Sequence, residues 1–486
     1  MFWNSLGSGF LNPLFNDTSH RIGAGSDFFQ FYQAGSDILK GHSIYQTEGK
    51  KLTVPYAALY KYPPFLAYSV GIVSQYLNFW TAYKIWIVAI VFFFALMLVL
   101  IYKIIDDPDA FFWILIFSMM YTPFYIDLYM GQTNTLMGLF VAGIMFSFLK
   151  NRKIMNIIFL SLSLNIKLNT AFLIPAYFNK TQIKKVWFVI PLSLILFIPY
   201  FLFFPKDIGY FINYVFGSPL DYFYQAGNVG IYPLISEISY VFTYNINFIN
   251  AVQILWGLTV ILFTLWVQLR LKNRQPDMLD LVSLWLCAFF ISYKFIWEHH
   301  LVMLIPVLAM EFKKNNRKVI GFLWFLLGIP TVFYFLNMNL GKSYTEIQPF
   351  WTEAQSVLYH SCKIIPLVTL YICVLRRLFA KKNNIKAVLV SYSILICAVF
   401  IFYNIKPISA RDYIAVAKTA FVNKDYERAH ANFKRAINTD PYYINTWMEY
   451  ISFLSSIGER EKMRECVVKA YKLNPDNELF KNLFKK

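Results

Sequence analysis

The chain is poor in charge: Asp, Glu, Lys and Arg make up only 15% of its 486 residues. It also has only five cysteines, without metal-type spacing, and four of them (Cys287, Cys362, Cys373 and Cys397) fall in apolar stretches. They read as small hydrophobes, which argues against a zinc module or a disulfide framework. No Walker sequence, dinucleotide fingerprint or Gly-x-Ser-x-Gly elbow is present. That argues against an ATP-driven pump, a soluble nucleotide fold and a serine hydrolase. The opening, MFWNSLGSGFLNPLFNDTSH, has neither a basic n-region nor a long apolar run, so it does not read as a signal peptide.

What fills the chain instead is apolar: 58% hydrophobic residues and 20% aromatic ones. Soluble domains hold roughly 45–50% apolar residues. Stretches such as Ile85–Ile101 and Ala387–Phe402 are almost free of charge and approach the length that crosses a bilayer. The pattern predicts an all-α fold, a polytopic transmembrane helix bundle of about 11–13 spans followed by a small helical-repeat domain. The expected divisions are 1–79 as an outer loop with interfacial helices, 80–405 as the membrane domain, and 406–486 as the repeats.

The formal net charge of +18 has to be placed before it is interpreted. Basic residues cluster in short loops at Lys150–Lys153, Lys180–Lys185, Arg270–Arg274, Lys313–Lys318 and Arg376–Lys386. That is the distribution of cytoplasmic retention signals, not of a nucleic-acid face. With these loops held inside, Asp27, the YPPF segment, Gln132, Asn134, Lys167, Asn228 and Trp297–His300 all fall on the outer side. None of them set the threading. Ionisable residues at membrane depth are costly and mark functional sites. Ile154–Phe178 is threaded as a rise-and-return hairpin with Lys167 at its tip, and Ile231–Phe242 as an interfacial helix.

After about residue 406 the composition turns polar. Pro441 and Pro475 lie 34 residues apart, as do Ala436 and Ala470, and Tyr413 aligns with Trp447. A 34-residue period with small mid-helix residues and a closing proline is the tetratricopeptide pattern. By parity this tail emerges on the outer side.

Each polar position has a plain reading beside its chemical one. Asp27 is a solvated loop carboxylate or, partly buried, a general base. Lys167 snorkels to the surface or presents a point charge to a phosphate. His299 and His300 anchor a helix end or touch a phosphate or sugar hydroxyl. Adjacent histidines face about 100° apart on a helix and make a poor metal pair.

Taken in order, these elements resemble a known group. Asp27 with Tyr32, Gly41 and Tyr45, then Tyr62–Phe65, then Gly131, Gln132 and Asn134, then Lys167, Gly227–Asn228 and Trp297–His300 are similar to the motifs of membrane-embedded glycosyltransferases of the C-type fold. Glycosyltransferase family 87 is the nearest pattern. That family has a helix ahead of its catalytic Asp, and only 26 residues precede Asp27, so a truncated start is expected. The resemblance implies an inverting hexosyltransferase that moves a hexose or pentose, mannose-like, from a polyprenyl-phosphate donor. The acceptor would be an envelope lipid, glycan or protein on the extracytoplasmic face of a bacterial plasma membrane. It implies Asp27 as base, Lys167 and His300 at the donor phosphate, and Tyr45, Tyr62, Gln132, Asn134, Asn228, Trp297 and His299 as substrate contacts. No metal and no cofactor are expected. The competing readings are a flippase for lipid-linked glycans and a catalytically silent scaffold that recruits partners through the tail. A flippase of this size is expected to show two similar halves, and no internal symmetry is visible in the sequence.

Overall fold

A computed structural model describes residues 24–46, 51–55, 60–178, 183–216, 228–239, 246–271, 277–329, 353–379, 385–405, 408–474 and 478–484. The stretch before Asp27 up to residue 23, Gly227, Pro475 and the end of the 231–242 helix lie outside the described residues.

The architecture is all-α. Helix α1 (Ser26–Leu39) is short and almost wholly buried. It lies against a π-helical turn, Ala67–Gly71, through backbone contact. A Cβ on Gly35 would stand 2.1 Å from the Gly71 carbonyl carbon, so only glycine allows this approach. Helix α2 (Phe79–Ile105) is capped by Asn78, whose side chain accepts the Thr81 N–H at 2.9 Å. Helices α3 (Pro108–Met119) and α4 (Thr122–Met130) are bent by 50° at their junction. Gly131 ends α4 at φ 68, and a Cβ there would meet Phe28 at 2.7 Å. The turn into the next helix therefore needs glycine twice over, for its dihedral and for its space.

Helices α5 (Asn134–Leu149) and α6 (Lys153–Ile166) follow, and then a 3-10 stretch, Leu168–Tyr177. Lys167 is the extended residue at the break, so the threaded hairpin is a helix followed by a tighter coil, with the lysine at the junction. Next come α7 (Ile183–Phe203), α8 (Asp207–Phe216), α9 (Ile231–Ser239), α10 (Ile246–Leu271) and α11 (Met278–Ser292). A 3-10 turn, Glu298–Leu304, leads into α12 (Ile305–Lys314). Helices α13 (Arg317–Gly328), α14 (Glu353–Leu378) and α15 (Ile385–Ile405) complete the membrane part.

Among the described residues, four helices are long and apolar enough to cross a membrane, or five if the bent α3–α4 pair is one span. That is fewer than the threaded count, for a physical reason. The central helices are short and broken: Leu279 and all of Leu281–Ser292 in α11 are buried in protein, and α12 begins only after a 3-10 turn. Irregular backbone at membrane depth is tolerated where protein covers it. Three of the four long helices, α2, α7 and α10, expose most of their apolar surface instead.

Two large apolar clusters emerge. One joins Phe28 through Val374, so the segment around α1 shares a core with the membrane helices. The other belongs to the tail: α16 (Ala410–Val422), α17 (Tyr426–Thr439), α18 (Ile444–Ser456), α19 (Arg460–Leu473) and α20 (Glu478–Phe484). Ala429, Ala436 and Ala470 are fully buried where helices approach, and the Trp447 indole donates to the Pro441 carbonyl at 2.7 Å.

Candidate active site

The site forms where α1, the Tyr60–Phe65 strip, the N-terminus of α5, the α6 break and the Glu298 3-10 turn converge. Asp27 lies in the first turn of α1 and is 8% exposed. Its Oδ1 accepts the Gln30 amide N–H at 2.7 Å, while its Oδ2 is buried without a hydrogen-bond partner. Burial pushes the carboxyl up to about 6, against the pull of Lys167, Gln132 and Lys61. A carboxylate so tuned, with one oxygen uncommitted, is suited to accept a proton near neutral pH.

Lys167 faces it. Its ammonium donates to Gln132 Oε1 at 3.0 Å and Asn134 Oδ1 at 2.8 Å, and lies 5.4 Å from the Tyr62 ring centroid. The lysine is 7% exposed and directed at these partners, so it does not snorkel. The Gln132 amide donates to the Tyr62 hydroxyl at 3.0 Å.

Sequence reasoning missed Asp127. It is fully buried in α4, and it holds the start of α5. Its Oδ1 accepts the Asn134 amide at 2.9 Å, and its Oδ2 accepts the Thr135 N–H at 3.0 Å and hydroxyl at 2.6 Å. This fixes which end of the Asn134 amide meets Lys167. With both oxygens saturated, Asp127 is a poor base and a good orienter. A carboxylate inside the apolar stretch YIDLYM was the available signal.

His299 and His300 enter from the 3-10 turn, within electrostatic reach of Lys167. His300 Nδ1 accepts the Trp297 N–H at 3.3 Å. Both ring nitrogens of His299 are buried without a partner, and its ring stacks on half-buried Trp297 at 6.4 Å. Groups of this kind need explaining in a folded protein. Among the described residues, no three His, Cys, Asp or Glu side chains group as metal ligands would.

Two expected substrate contacts stand elsewhere. Tyr45 is packed against Tyr60, Tyr200, Phe201 and Phe211, and its hydroxyl donates to the Tyr62 carbonyl at 2.8 Å. It supports Tyr62 from behind. Asn228 spends its side chain on backbone: Oδ1 accepts the Gly230 and Ile296 N–H groups, and Nδ2 donates to the Lys294 carbonyl. It staples the outer loop to the Trp297–His300 segment.

Residues 60–295 match the model for glycosyltransferase family 87. Over that stretch the chain is similar to the membrane glycosyltransferases of family 87. The match includes Tyr62, Gln132, Asn134, Lys167 and Asn228. Asp27, Trp297–His300 and the tail lie beyond it. No curated protein matches the chain.

Proposed function

We propose that the protein is an inverting transferase that moves a mannose-like hexose or pentose from a polyprenyl-phosphate donor to an envelope lipid, glycan or protein. The observation that carries the reading is one buried carboxylate, Asp27, with an oxygen left uncommitted, placed within electrostatic reach of one buried ammonium, Lys167. Asp27 takes the proton of the acceptor hydroxyl. The hydroxyl oxygen bonds to the anomeric carbon as the bond from that carbon to the phosphate oxygen breaks. The electron pair leaves on a lipid phosphate monoester, whose charge Lys167 and His300 stabilise. His299, Gln132, Asn134, Tyr62 and Trp297 hold the sugar, while Tyr45 and Asn228 act as supports.

The chemistry takes place on the extracytoplasmic face of a bacterial plasma membrane. The tail is a pair of tetratricopeptide-like hairpins on the same side, and it holds acceptor or a protein partner. Arg411 of the tail pairs with Glu237 of α9, in the outer-side region that Asn228 anchors, which supports this parity. The chain divides at 79/80 and 405/406.

The test is donor class. Purified protein in lipid is given a polyprenyl-phosphate hexose or a nucleotide hexose, and products are read by mass spectrometry. Release of lipid phosphate from the first alone is expected. Turnover of the nucleotide sugar alone, or movement of intact donor across the bilayer without bond cleavage, would replace this reading.

A further inference from the structure

The tail is joined to the membrane part by buried charge as well as by chain. Arg411, at the second position of α16, is 7% exposed, and its guanidinium pairs with Glu237, which is fully buried in α9. His360 of α14 faces the same carboxylate at 3.7 Å and lies within electrostatic reach of the Asn228 backbone. Asn228 grips Ile296 and Lys294. One turn along α14, Lys363 stands 3.4 Å from Glu298 and donates to the Leu327 carbonyl at 2.9 Å. Glu298 is the residue before the two site histidines. The Trp297–His300 segment is thus held from two flanks, through α9 with Asn228 and through α14.

We infer that the tail is a structural arm of the transferase site, in which Arg411 and Glu237 are positioning residues for His299 and His300. The inference rests on the reading of those histidines as site residues. A fully buried carboxylate that loses its guanidinium must protonate or move toward water. Either change shifts α9, and Asn228 lies three residues before that helix. A tail that merely hung from α15 would need no such pair. Neither side chain touches substrate, so both act through the loop.

The test is a double-mutant cycle in the full-length protein. Rate per folded molecule and amide exchange over residues 228–239 and 296–300 are measured for Arg411→Ala, Arg411→Lys, Glu237→Gln and the Arg411→Ala/Glu237→Gln double variant. Arg411→Ala is expected to lower the rate about tenfold and to loosen both segments. Arg411→Lys should recover most of the loss, and Glu237→Gln, which leaves the guanidinium facing a neutral amide, should lower the rate by less than Arg411→Ala does. The double variant should return to the Glu237→Gln level, because the uncompensated charge is gone. Should Arg411→Ala fail to accumulate, the double variant is read against Glu237→Gln alone: equality supports the clamp, and a further large loss overturns it. Wild-type rate and protection in Arg411→Ala, or simple additivity of the two single changes, also overturn it. The exchange readout is independent of catalysis. Coupling found alongside a fully active Asp27→Asn protein would keep the clamp and remove the base assignment.

Discussion

At the end of the bundle away from Asp27, charge stands in closed pairs, buried at Glu311 and partly exposed at Lys314 and Arg317. Arg377 reaches Glu311 through Nε at 2.9 Å and through a terminal nitrogen, and reaches Asp280 at 2.9 Å. Lys314 bridges Asp277 and Asp280, and Arg317 pairs with Asp107. At the Asp27 end, similar side chains are held apart by neutral amides. Lys167 meets Gln132 and Asn134 rather than a carboxylate, and Asp27 Oδ2, Gln30 Oε1, Thr133 Oγ1 and both His299 nitrogens have no hydrogen-bond partner. Glu311 is at least as buried as Asp27, and its oxygens are satisfied where one of Asp27's is not. Paired charges lock helices to one another, while unpaired buried groups are kept for something that arrives. The contrast locates chemistry more sharply than charge or burial does alone.

Breaking the satisfied end should injure the fold. Arg377→Ala leaves Glu311 buried without its guanidinium and is expected to cost about 3–5 kcal/mol of stability. A thermal-denaturation series in detergent reads this, with little change in rate per folded molecule. Breaking the unsatisfied end should do the reverse. Lys167→Ala should lower donor turnover about 10²–10³-fold, and Lys167→Arg much less, with unfolding temperatures near wild type. Equal, near-wild-type rates for both would return Lys167 to a snorkelling role. Asp127→Asn sharpens the boundary between the two kinds of group. One of its atoms becomes a donor facing donors, so Asn134 loses its fixed orientation. A loss of about tenfold in donor use is expected, and an unchanged donor KM and kcat would leave Asp127 a mere helix anchor. The smallest effect is the pH dependence. Because burial raises Asp27 to about 6, the base is ionised above that value and protonated below it. The rate should therefore be flat near pH 7 and fall about tenfold per unit below pH 6. A low-pH limb centred near 4 would mean that the active carboxylate is solvated.

Most of the site was legible because its residues are the wrong kind for their surroundings. Asp27, Gln132, Asn134, Lys167, His299 and His300 interrupt apolar sequence, and cost at membrane depth is a local signal. Asp127 carries the same signal but sits in a long apolar stretch whose 50° bend after Met119 is invisible to hydropathy. Residue type also could not show which way Tyr45 and Asn228 face, and packing decided both. The Arg411–Glu237 pair joins positions 174 residues apart, which no periodicity reports. That the tail is helical was readable for the opposite reason, since its sequence pattern recurs.

The central claim is that Asp27 is the base of a glycosyl transfer, and Asp27→Asn tests it most directly. Wild-type and variant proteins, inserted to equal amounts in lipid, are given a polyprenyl-phosphate hexose and an acceptor, and lipid phosphate release is followed. The account predicts that the variant binds donor and remains folded but releases essentially none. Release at the wild-type rate by the Asn variant would contradict it.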